Sequence, residues 1–160
     1  MNFRSQKGAA VVEFAVVLPL LLLIVFGIIE FGFIFYNKAL LTNASREGAR
    51  QAIVYRTDSS TGNRIIPVSQ VEDAIHGYLY SGDDLRLISF GKDNLTATLE
   101  TGSGVSTLNL TSHNSSSKEI TEGDYIVIEV NYDYDFLILP SFAGIQKALK
   151  LYGKTTMRAE

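Results

Sequence analysis

The most prominent pattern along the chain is an uninterrupted apolar run close to its N-terminus. Residues 14–36 read FAVVLPLLLLIVFGIIEFGFIFY, in which Glu30 is the one charged residue. A helix of this length rises about 35 Å, enough to cross a hydrocarbon layer of about 30 Å. The pattern therefore predicts a membrane-spanning helix rather than a helix in the core of a soluble domain.

Helical periodicity continues beyond this run. Residues 37–54 contain no proline, and small or apolar residues recur there at i, i+3 and i+4 spacing. We expect one helix from about Gly8 to Val54, with a bend near Pro19, where a backbone hydrogen bond is lost. An ordinary solvated helix over residues 43–50 would also fit the spacing. The apolar and small stripe, which suits close packing on a sheet, comprises Leu41, Ala44, Gly48, Ala52 and Tyr55.

The remaining chain predicts a second helix after a polar loop. The run TDSSTGN at residues 57–63 should end the first helix. Ser69 and Glu72 have the spacing of a capping box, which would start a helix that ends near residues 81–82. His76 is expected to be exposed. The predicted apolar face of this helix comprises Val71, Ala74, Ile75, Tyr78 and Leu79.

Alternating patterns after this helix predict a small antiparallel sheet. The strongest strand is 124–136, with Ile126, Ile128, Val130, Tyr132, Tyr134 and Phe136 on one face. We also predict a hairpin between 85–90 and 95–99, a Ser/Thr-rich surface loop at 101–123 with one possible strand at 105–110, a short helix or turn at 137–147, and a last strand at 148–158. The predicted fold class is α+β: a long N-terminal transmembrane helix that continues into a small extracytoplasmic domain, with a second helix and about four strands.

Composition and charge narrow the possible functions. The 160 residues contain no cysteine and carry a net charge of −3, which excludes disulfides, thiolate zinc sites and cysteine nucleophiles. Residues 57–160 contain 8 basic and 14 acidic side chains. This acidic balance gives no support to nucleic-acid binding, which requires a clustered basic surface.

Candidate catalytic and metal-binding residues are sparse. His76 and His113 are the 2 histidines, and neither has a second ligand type at helical or hairpin spacing. Asp133 and Asp135 could hold Ca²⁺ together with loop carbonyls, but a solvated strand face is the favoured interpretation. We find no nucleophile, base and oxyanion arrangement. The sequence therefore predicts a protein that is not an enzyme and has no cofactor or metal.

The residues before the apolar run predict its orientation. Arg4 and Lys7 precede it directly, and by the positive-inside tendency they keep the N-terminus in the cytoplasm and send the domain outward. A cleaved secretory signal is the competing interpretation. The apolar run exceeds the roughly 7–15 residues of such signals, and it is followed by Glu30 and bulky aromatic residues instead of a small-residue cleavage site.

Short motifs around the two glutamates resemble a known family. In GAAVVEF, residues 8–14, Gly8 is followed by Glu13 at the fifth position and Phe14 at the sixth, which resembles the processing site of type IV prepilins. This motif, Leu18-Pro19, IEFG at 29–32, NASREGAR at 43–50 and TMRAE at 156–160 together resemble the TadE-like minor pilins, or pseudopilins, of the Tad (Flp) pilus.

The resemblance implies a division of the chain and a set of partners. Residues 1–8 would be a leader that a prepilin peptidase removes, 9–36 the transmembrane half of the helix, 37–55 its extracytoplasmic half and 56–160 the globular domain. The implied function is a structural role in pilus assembly, anchoring or tip formation at the cytoplasmic membrane. The implied partners are the peptidase, other Tad/Flp pilins, the membrane assembly platform and lipid.

Each glutamate in the apolar helix has two open interpretations. Cleavage after Gly8 would expose an amine on Ala9, one helical turn before Glu13, and this amine could pair with Glu13 of the same or a neighbouring subunit. Alternatively, Glu13 lies at headgroup level without a partner. Glu30 either reaches water at the outer interface or pairs with a basic group of another subunit. The alternative function is a permanently anchored extracytoplasmic binding module.

Overall fold

The computed structural model describes residues 3–54, 56–82, 84–89, 95–110, 117–120, 123–136 and 148–159 of the 160-residue chain. These residues form two helices and nine strands. The helices are α1 (Phe3–Ile53) and α2 (Val68–Leu79). The strands are β1 (Arg56–Thr57), β2 (Arg64–Pro67), β3 (Tyr80–Ser81), β4 (Asp84–Leu85), β5 (Leu95–Thr101), β6 (Gly104–Leu108), β7 (Ser117–Glu119), β8 (Tyr125–Asp135) and β9 (Ala148–Arg158).

Helix α1 is a single element of 51 residues. Its C-terminal end, Ile53, is one residue from the predicted end, whereas its first residue, Phe3, precedes the predicted start at Gly8. The helix continues through Pro19 without interruption. Tyr55, the last residue of the predicted stripe, lies outside the described residues.

The main sheet is antiparallel and has the strand order β6-β5-β8-β9. Strand β8 is central: Ile128 lies opposite Leu99 of β5 and Thr155 of β9. The α+β class, the sheet of about four strands and the last strand at 148–158 are confirmed. The predicted inner face of β8 is also confirmed, since its buried side chains are Ile126, Ile128, Val130, Tyr132 and Tyr134.

The C-terminal part of α1 and helix α2 pack together with the main sheet to form the core. Small residues bring the backbones close, because a Cβ atom at Gly48 would lie 2.8 Å from Cγ1 of Ile75 in α2. A Cβ atom at Gly153 of β9 would lie 2.2 Å from the carbonyl oxygen of Leu41 in α1. Ala44, Ala49 and Ala52 are fully buried. The expectation that this part of α1 packs closely on a sheet is therefore confirmed.

The predicted hairpin between 85–90 and 95–99 is wrong. Strand β4 pairs with β3 instead, and β5 pairs with β6 and β8. The reason lies at Ile88, whose backbone N–H and carbonyl bond the side chain of Asn37 in α1. A helix side chain thus satisfies the backbone groups that a neighbouring strand was expected to bond.

The predicted capping box of the second helix is also wrong. Helix α2 begins at Val68, and its N-cap, Pro67, makes no side-chain capping bond. Glu72 is buried, and its Oε1 accepts the backbone N–H of Asn109 at 2.7 Å. The carboxylate therefore binds the chain just after β6 to helix α2 instead of capping the helix.

Two side chains of α2 differ from their predicted environments. Tyr78 was expected on the apolar face, yet its side chain is 40% exposed. His76 was expected to be exposed, yet it is half-buried and stacks on Tyr80 with ring centroids 4.4 Å apart. The amphipathic pattern thus locates the helix correctly but misplaces residues at the edge of its apolar face.

The predicted loop at 101–123 contains regular structure in its described parts. Its possible strand at 105–110 is observed as β6, which turns back on β5. Strand β7 pairs with β2, so β1, β2 and β7 form a second sheet that was not predicted. Residues 111–116 and 121–122, and the helix or turn predicted at 137–147, lie outside the described residues.

Candidate assembly and membrane helix

The first part of α1 is apolar and remains accessible in the described structure. None of the residues 8–29, here called the inner segment, is buried. Among the described residues, one helix is long and apolar enough to span a membrane, Gly8–Ile53, and its apolar window contains no buried position. Side chains such as Val16 and Leu20 are 73% and 62% exposed. The helix is therefore compatible with single-pass membrane anchoring, since an apolar surface of this length requires lipid or protein around it.

The residues of the predicted processing site all lie on this exposed helix. Gly8, Ala9, Glu13 and Phe14 are exposed, and a Cβ placed at Gly8 meets no described atom within 4 Å apart from its chain neighbours and the local helix backbone. Ala9 and Glu13 lie one turn apart on the same helix face. The bond between Gly8 and Ala9 is within α1, because the helix begins at Phe3. Pro19 is exposed on the same segment.

Glu30 is the first buried residue along the described part of α1. Its side chain is fully buried, and Oε1 accepts a hydrogen bond from the hydroxyl of Tyr134 in β8 at 2.5 Å. The interpretation that Glu30 reaches water is therefore wrong, because its own chain encloses the carboxylate. Burial is the main cause, and the bond to Glu30 the second cause, of a pKa of Tyr134 raised above its ordinary value.

Residues 30–53, here called the outer segment, are held to the domain by polar contacts along their length. Asn37 Nδ2 donates to the carbonyl of Ile88 at 2.7 Å, and the N–H of Ile88 donates to Asn37 Oδ1 at 2.9 Å. Lys38 Nζ donates to the carbonyl oxygen of Tyr152 in β9 and lies 4.1 Å from the centre of its ring. These contacts attach the helix to both the 86–89 segment and strand β9.

A further polar contact lies near the middle of the outer segment. The hydroxyl of Ser45 is 2.9 Å from that of Thr155 in β9 and donates to the carbonyl of Thr42 at 2.9 Å. Ser45 is fully buried. Both hydrogen bonds of this buried hydroxyl therefore lie within the close interface around Gly48 and Gly153.

The opposite face of the outer segment is solvated and charged. Arg50 Nε donates to Glu47 Oε2 at 2.9 Å, and this contact is the main cause of a lowered pKa of the Glu47 carboxyl. Arg46 and Asn43 are exposed on the same side. This side of the helix makes local contacts and leaves the residues of the NASREGAR motif divided between a buried and an exposed face.

The candidate calcium residues remain on the outer face of the main sheet. Asp133 and Asp135 are half-buried, and they lie opposite Lys150 and Ala148 of β9. Within the described ranges, no group of three or more His, Cys, Asp or Glu residues could hold a metal ion. His113 lies outside those ranges.

The sequence match falls on the helix just described. Residues 8–50 match the model of the TadE-like protein family. We call α1 the TadE-like helix because of this similarity. The match contains both glutamates and ends within α1, so it includes the exposed inner segment and most of the outer segment of the TadE-like helix, but no strand. No curated protein and no solved structure matches the chain.

Sequence reasoning missed the residues that join the TadE-like helix to the domain. Tyr134 was expected in the core, but its hydroxyl bond to Glu30 could not be read from alternation alone. Asn37 and Lys38 fall within the predicted helix, but the sequence does not indicate their partners, because these contacts lie 51 and 114 residues away in the chain. The one available signal was that a polar residue among apolar neighbours requires a partner when it is buried.

Proposed function

We propose that this chain is a structural, non-enzymatic minor pilin of a Tad (Flp) pilus that is anchored and assembled through its TadE-like helix. The family match over residues 8–50 supports an association with the Tad pilus. The observation that carries the proposal is the inner segment, where none of the residues is buried by the domain. Such a helix is suited to lateral packing, first among lipids and then among the helices of other pilins.

The proposal includes removal of residues 1–8 by a prepilin peptidase. Cleavage after Gly8 takes away Arg4 and Lys7 and leaves an amine on Ala9, one turn before Glu13. Glu13 is exposed, so its carboxylate is accessible to the amine of its own or a neighbouring subunit. Within a bundle of apolar helices, an unpaired carboxylate would be strongly unfavourable, and pairing would select one register between subunits.

We further propose that the N-terminus is cytoplasmic and the domain extracytoplasmic. Residues 9–36 would form the transmembrane half, 37–55 the extracytoplasmic half and 56–160 the globular domain. The partners would be the peptidase, other Tad/Flp pilins, the assembly platform and lipid. The domain would act in assembly, anchoring or formation of the tip, either in the cytoplasmic membrane or in an extracellular filament.

Mass spectrometry of the protein extracted from membranes tests the processing step. We expect the mass of a chain that begins at Ala9 in cells with an active prepilin peptidase, and the full-length mass in cells without it. A full-length mass in both strains would contradict the cleavage. Substitution Gly8→Leu should block the cut, because a bulky side chain replaces the open space beside the bond.

Filament assembly tests the role of Glu13. We expect Glu13→Ala to abolish or strongly reduce incorporation of this chain into pili, whereas the matched variant Val16→Ala, at another exposed position of the inner segment, should assemble normally. Normal incorporation of Glu13→Ala would contradict the register role. An uncleaved leader together with normal pili in a strain lacking this protein would instead support a permanently anchored binding module.

A further inference from the structure

We propose that one end of the main sheet lies in the outer lipid headgroup layer and forms a membrane-contact surface of the domain. This end, here called the membrane-proximal end, consists of Tyr134–Phe136 of the chain at and after β8 and Ala148–Leu149 of β9. The inference rests on the membrane anchoring proposed above. Its partner is a phospholipid surface.

The spacing of the two glutamates limits how far the domain can stand from the bilayer. Sixteen uncharged residues, 14–29, separate Glu13 from Glu30. They rise about 24 Å as a helix, which is less than a hydrocarbon layer of about 30 Å. A helix that crosses this layer therefore brings at least one of the two carboxylates to its edge or inside it.

Both ways of placing the helix keep Glu30 at the membrane. If Glu13 lies among the inner headgroups, a hydrocarbon span of about 20 residues begins after it and ends a few residues beyond Glu30. If the span instead covers residues 9–29, its outer edge falls at Glu30. Any placement farther outward would expose apolar residues of the inner segment, such as Ile28, which is 68% exposed in the isolated chain.

Burial of Glu30 makes this position physically acceptable. A carboxylate at the edge of the hydrocarbon is costly unless a partner satisfies it, and Tyr134 donates to Glu30 Oε1 at 2.5 Å. Glu30 is fully enclosed by protein. The same contact fixes the height of the sheet, because Tyr134 must lie at the level of Glu30.

The β8–β9 register places residues of the neighbouring strand at the same level as Tyr134. Tyr134 lies opposite Leu149, and Asp135 lies opposite Ala148. The headgroup layer is roughly 5–7 Å thick on each side of the hydrocarbon. When the span covers residues 9–29, the membrane-proximal end therefore falls within this layer. Residues 31–36 of the transmembrane half proposed above then lie at headgroup level.

The side chains at this level suit a headgroup layer. Leu149 is 39% exposed although it lies opposite the buried Tyr134, and Phe31 and Phe35 of α1 are 58% and 70% exposed nearby along the helix. Aromatic residues are enriched at this depth in membrane proteins. On the outer face of the sheet, Asp133 and Lys150 lie opposite each other, a mixed pair that is compatible with zwitterionic headgroups.

Single tryptophan reporters test this placement, because the chain contains no tryptophan. The full-length protein would be reconstituted into phosphatidylcholine vesicles with a nitroxide quencher either on the headgroup or midway along the acyl chain. Leu149→Trp reports the membrane-proximal end. Tyr125→Trp reports the other end of β8, where Tyr125 is 64% exposed, and Val16→Trp reports the inner segment.

We expect Leu149→Trp to lose emission with the headgroup quencher, Val16→Trp to lose emission with the mid-chain quencher, and Tyr125→Trp to be insensitive to both. A quenched Val16→Trp with an unquenched Leu149→Trp would overturn the contact surface while leaving the anchoring intact. An unquenched Val16→Trp would contradict the anchoring itself. A blue shift of Leu149→Trp that depends on protein concentration, without quenching, would mean that a second copy covers this end, and would also overturn the proposal.

Ala148→Trp provides a second reporter at the same end, in case Leu149→Trp fails to fold. Ala148 is exposed, so the larger side chain has room. Its expected response is the same loss of emission with the headgroup quencher. Insensitivity of a folded Ala148→Trp would overturn the proposal.

Discussion

The two segments of α1 belong to one continuous helix but face different surroundings. The inner segment, residues 8–29, has no buried position, whereas the outer segment, residues 30–53, buries one side against α2 and the main sheet. The inner segment is rich in Leu, Val and Ile. The buried side of the outer segment includes the small residues Ala44, Gly48 and Ala49.

Side-chain size therefore indicates what each segment packs against. Large aliphatic residues suit lipid and other apolar helices, which adapt their shape to the surface. Small residues allow a sheet and a helix to approach until backbone atoms touch, as Gly153 and Leu41 do. The boundary between the two regimes is Glu30, where the first buried polar contact occurs. Substitutions in the inner and outer segments should therefore differ in how much they lower the free energy of unfolding.

The largest expected effect is at Gly153. A Cβ atom there would lie 2.2 Å from the carbonyl oxygen and 2.4 Å from the carbonyl carbon of Leu41, so Gly153→Ala forces the backbone of α1 away from β9. We expect a loss of about 3 kcal/mol in the free energy of unfolding. Chemical denaturation of the detergent-solubilised protein would measure it.

Gly77→Ala is the matched control for this substitution. In the described part of the chain, a Cβ placed at Gly77 in α2 meets no atom within 4 Å beyond its chain neighbours and the local helix backbone. Alanine favours a helix over glycine by up to about 1 kcal/mol. We expect unchanged or higher stability. Equal stability of the Gly153→Ala and Gly77→Ala proteins would contradict the close approach of α1 to the sheet.

The next effect is at the boundary between the segments. Tyr134→Phe removes the donor to Glu30 and leaves a buried carboxylate with one contact fewer. We expect a loss of about 1–3 kcal/mol in the free energy of unfolding. Thermal unfolding in detergent at neutral pH would measure it. Tyr125→Phe is the matched control, because Tyr125 is exposed at the far end of β8. This substitution should leave the free energy of unfolding nearly unchanged.

The pH dependence of stability gives an independent check on Tyr134. Burial, and then the bond to Glu30, raise the pKa of its hydroxyl above the ordinary 10.0. The folded state therefore holds the proton more tightly than the unfolded state does. Its contribution is fully present below pH 10 and is lost as the pH rises above it. Tyr134→Phe should flatten this alkaline loss, and an identical alkaline profile in both proteins would contradict the raised pKa of Tyr134.

A smaller effect is expected where a glycine of the outer segment meets a flexible side chain. A Cβ atom at Gly48 would lie 2.8 Å from Cγ1 and 2.9 Å from Cδ1 of Ile75. Gly48→Ala therefore requires Ile75 to shift, at a cost of about 1–2 kcal/mol that the helix preference of alanine partly offsets. Ile75→Val, which shortens this side chain, should restore part of the loss in the double variant.

Gly27→Ala tests the other side of the comparison. Among the described residues, only chain neighbours and the local helix backbone lie within 4 Å of a Cβ at Gly27 in the inner segment. The domain should therefore unfold at the same temperature as the unchanged protein. If Gly27→Ala and Gly48→Ala were equally destabilising, the two segments would not differ in the way that their burial indicates. Differential scanning calorimetry of both variants in the same detergent decides the point.

Features with a local period could be predicted, and features that join distant residues could not. The alternation of β8 correctly identifies every second residue from Ile126 to Tyr134 as inward-facing, because the strand period is 2. By contrast, the predicted cap Glu72 bonds Asn109, 37 residues away. The 86–89 segment is held by Asn37, 51 residues away. Polar side chains have several possible partners of equal chemistry, and only the folded topology selects among them.

The same limit explains what could be said of the site. Residues 8–14 carry a short motif whose spacing is visible in the sequence, and the family match extends over the same helix. The environment of Glu30 was not visible, since its partner, Tyr134, is 104 residues away. A long apolar helix can be recognised from composition. Which of its residues the domain buries depends on tertiary contacts.

The smallest expected effect is on the solvated face of the outer segment. Arg50 donates to Glu47 one turn away, and their side chains are 58% and 23% exposed. Water and salt screen such surface pairs, which contribute little to folding. We expect Arg50→Ala to leave the unfolding temperature unchanged while the pKa of Glu47, now lowered mainly by its bond to Arg50, moves back toward its ordinary value. Titration by NMR would follow the carboxyl carbon of Glu47. A large fall in unfolding temperature would mean that this face is also packed, and the contrast between the buried and solvated sides of the outer segment would then fail.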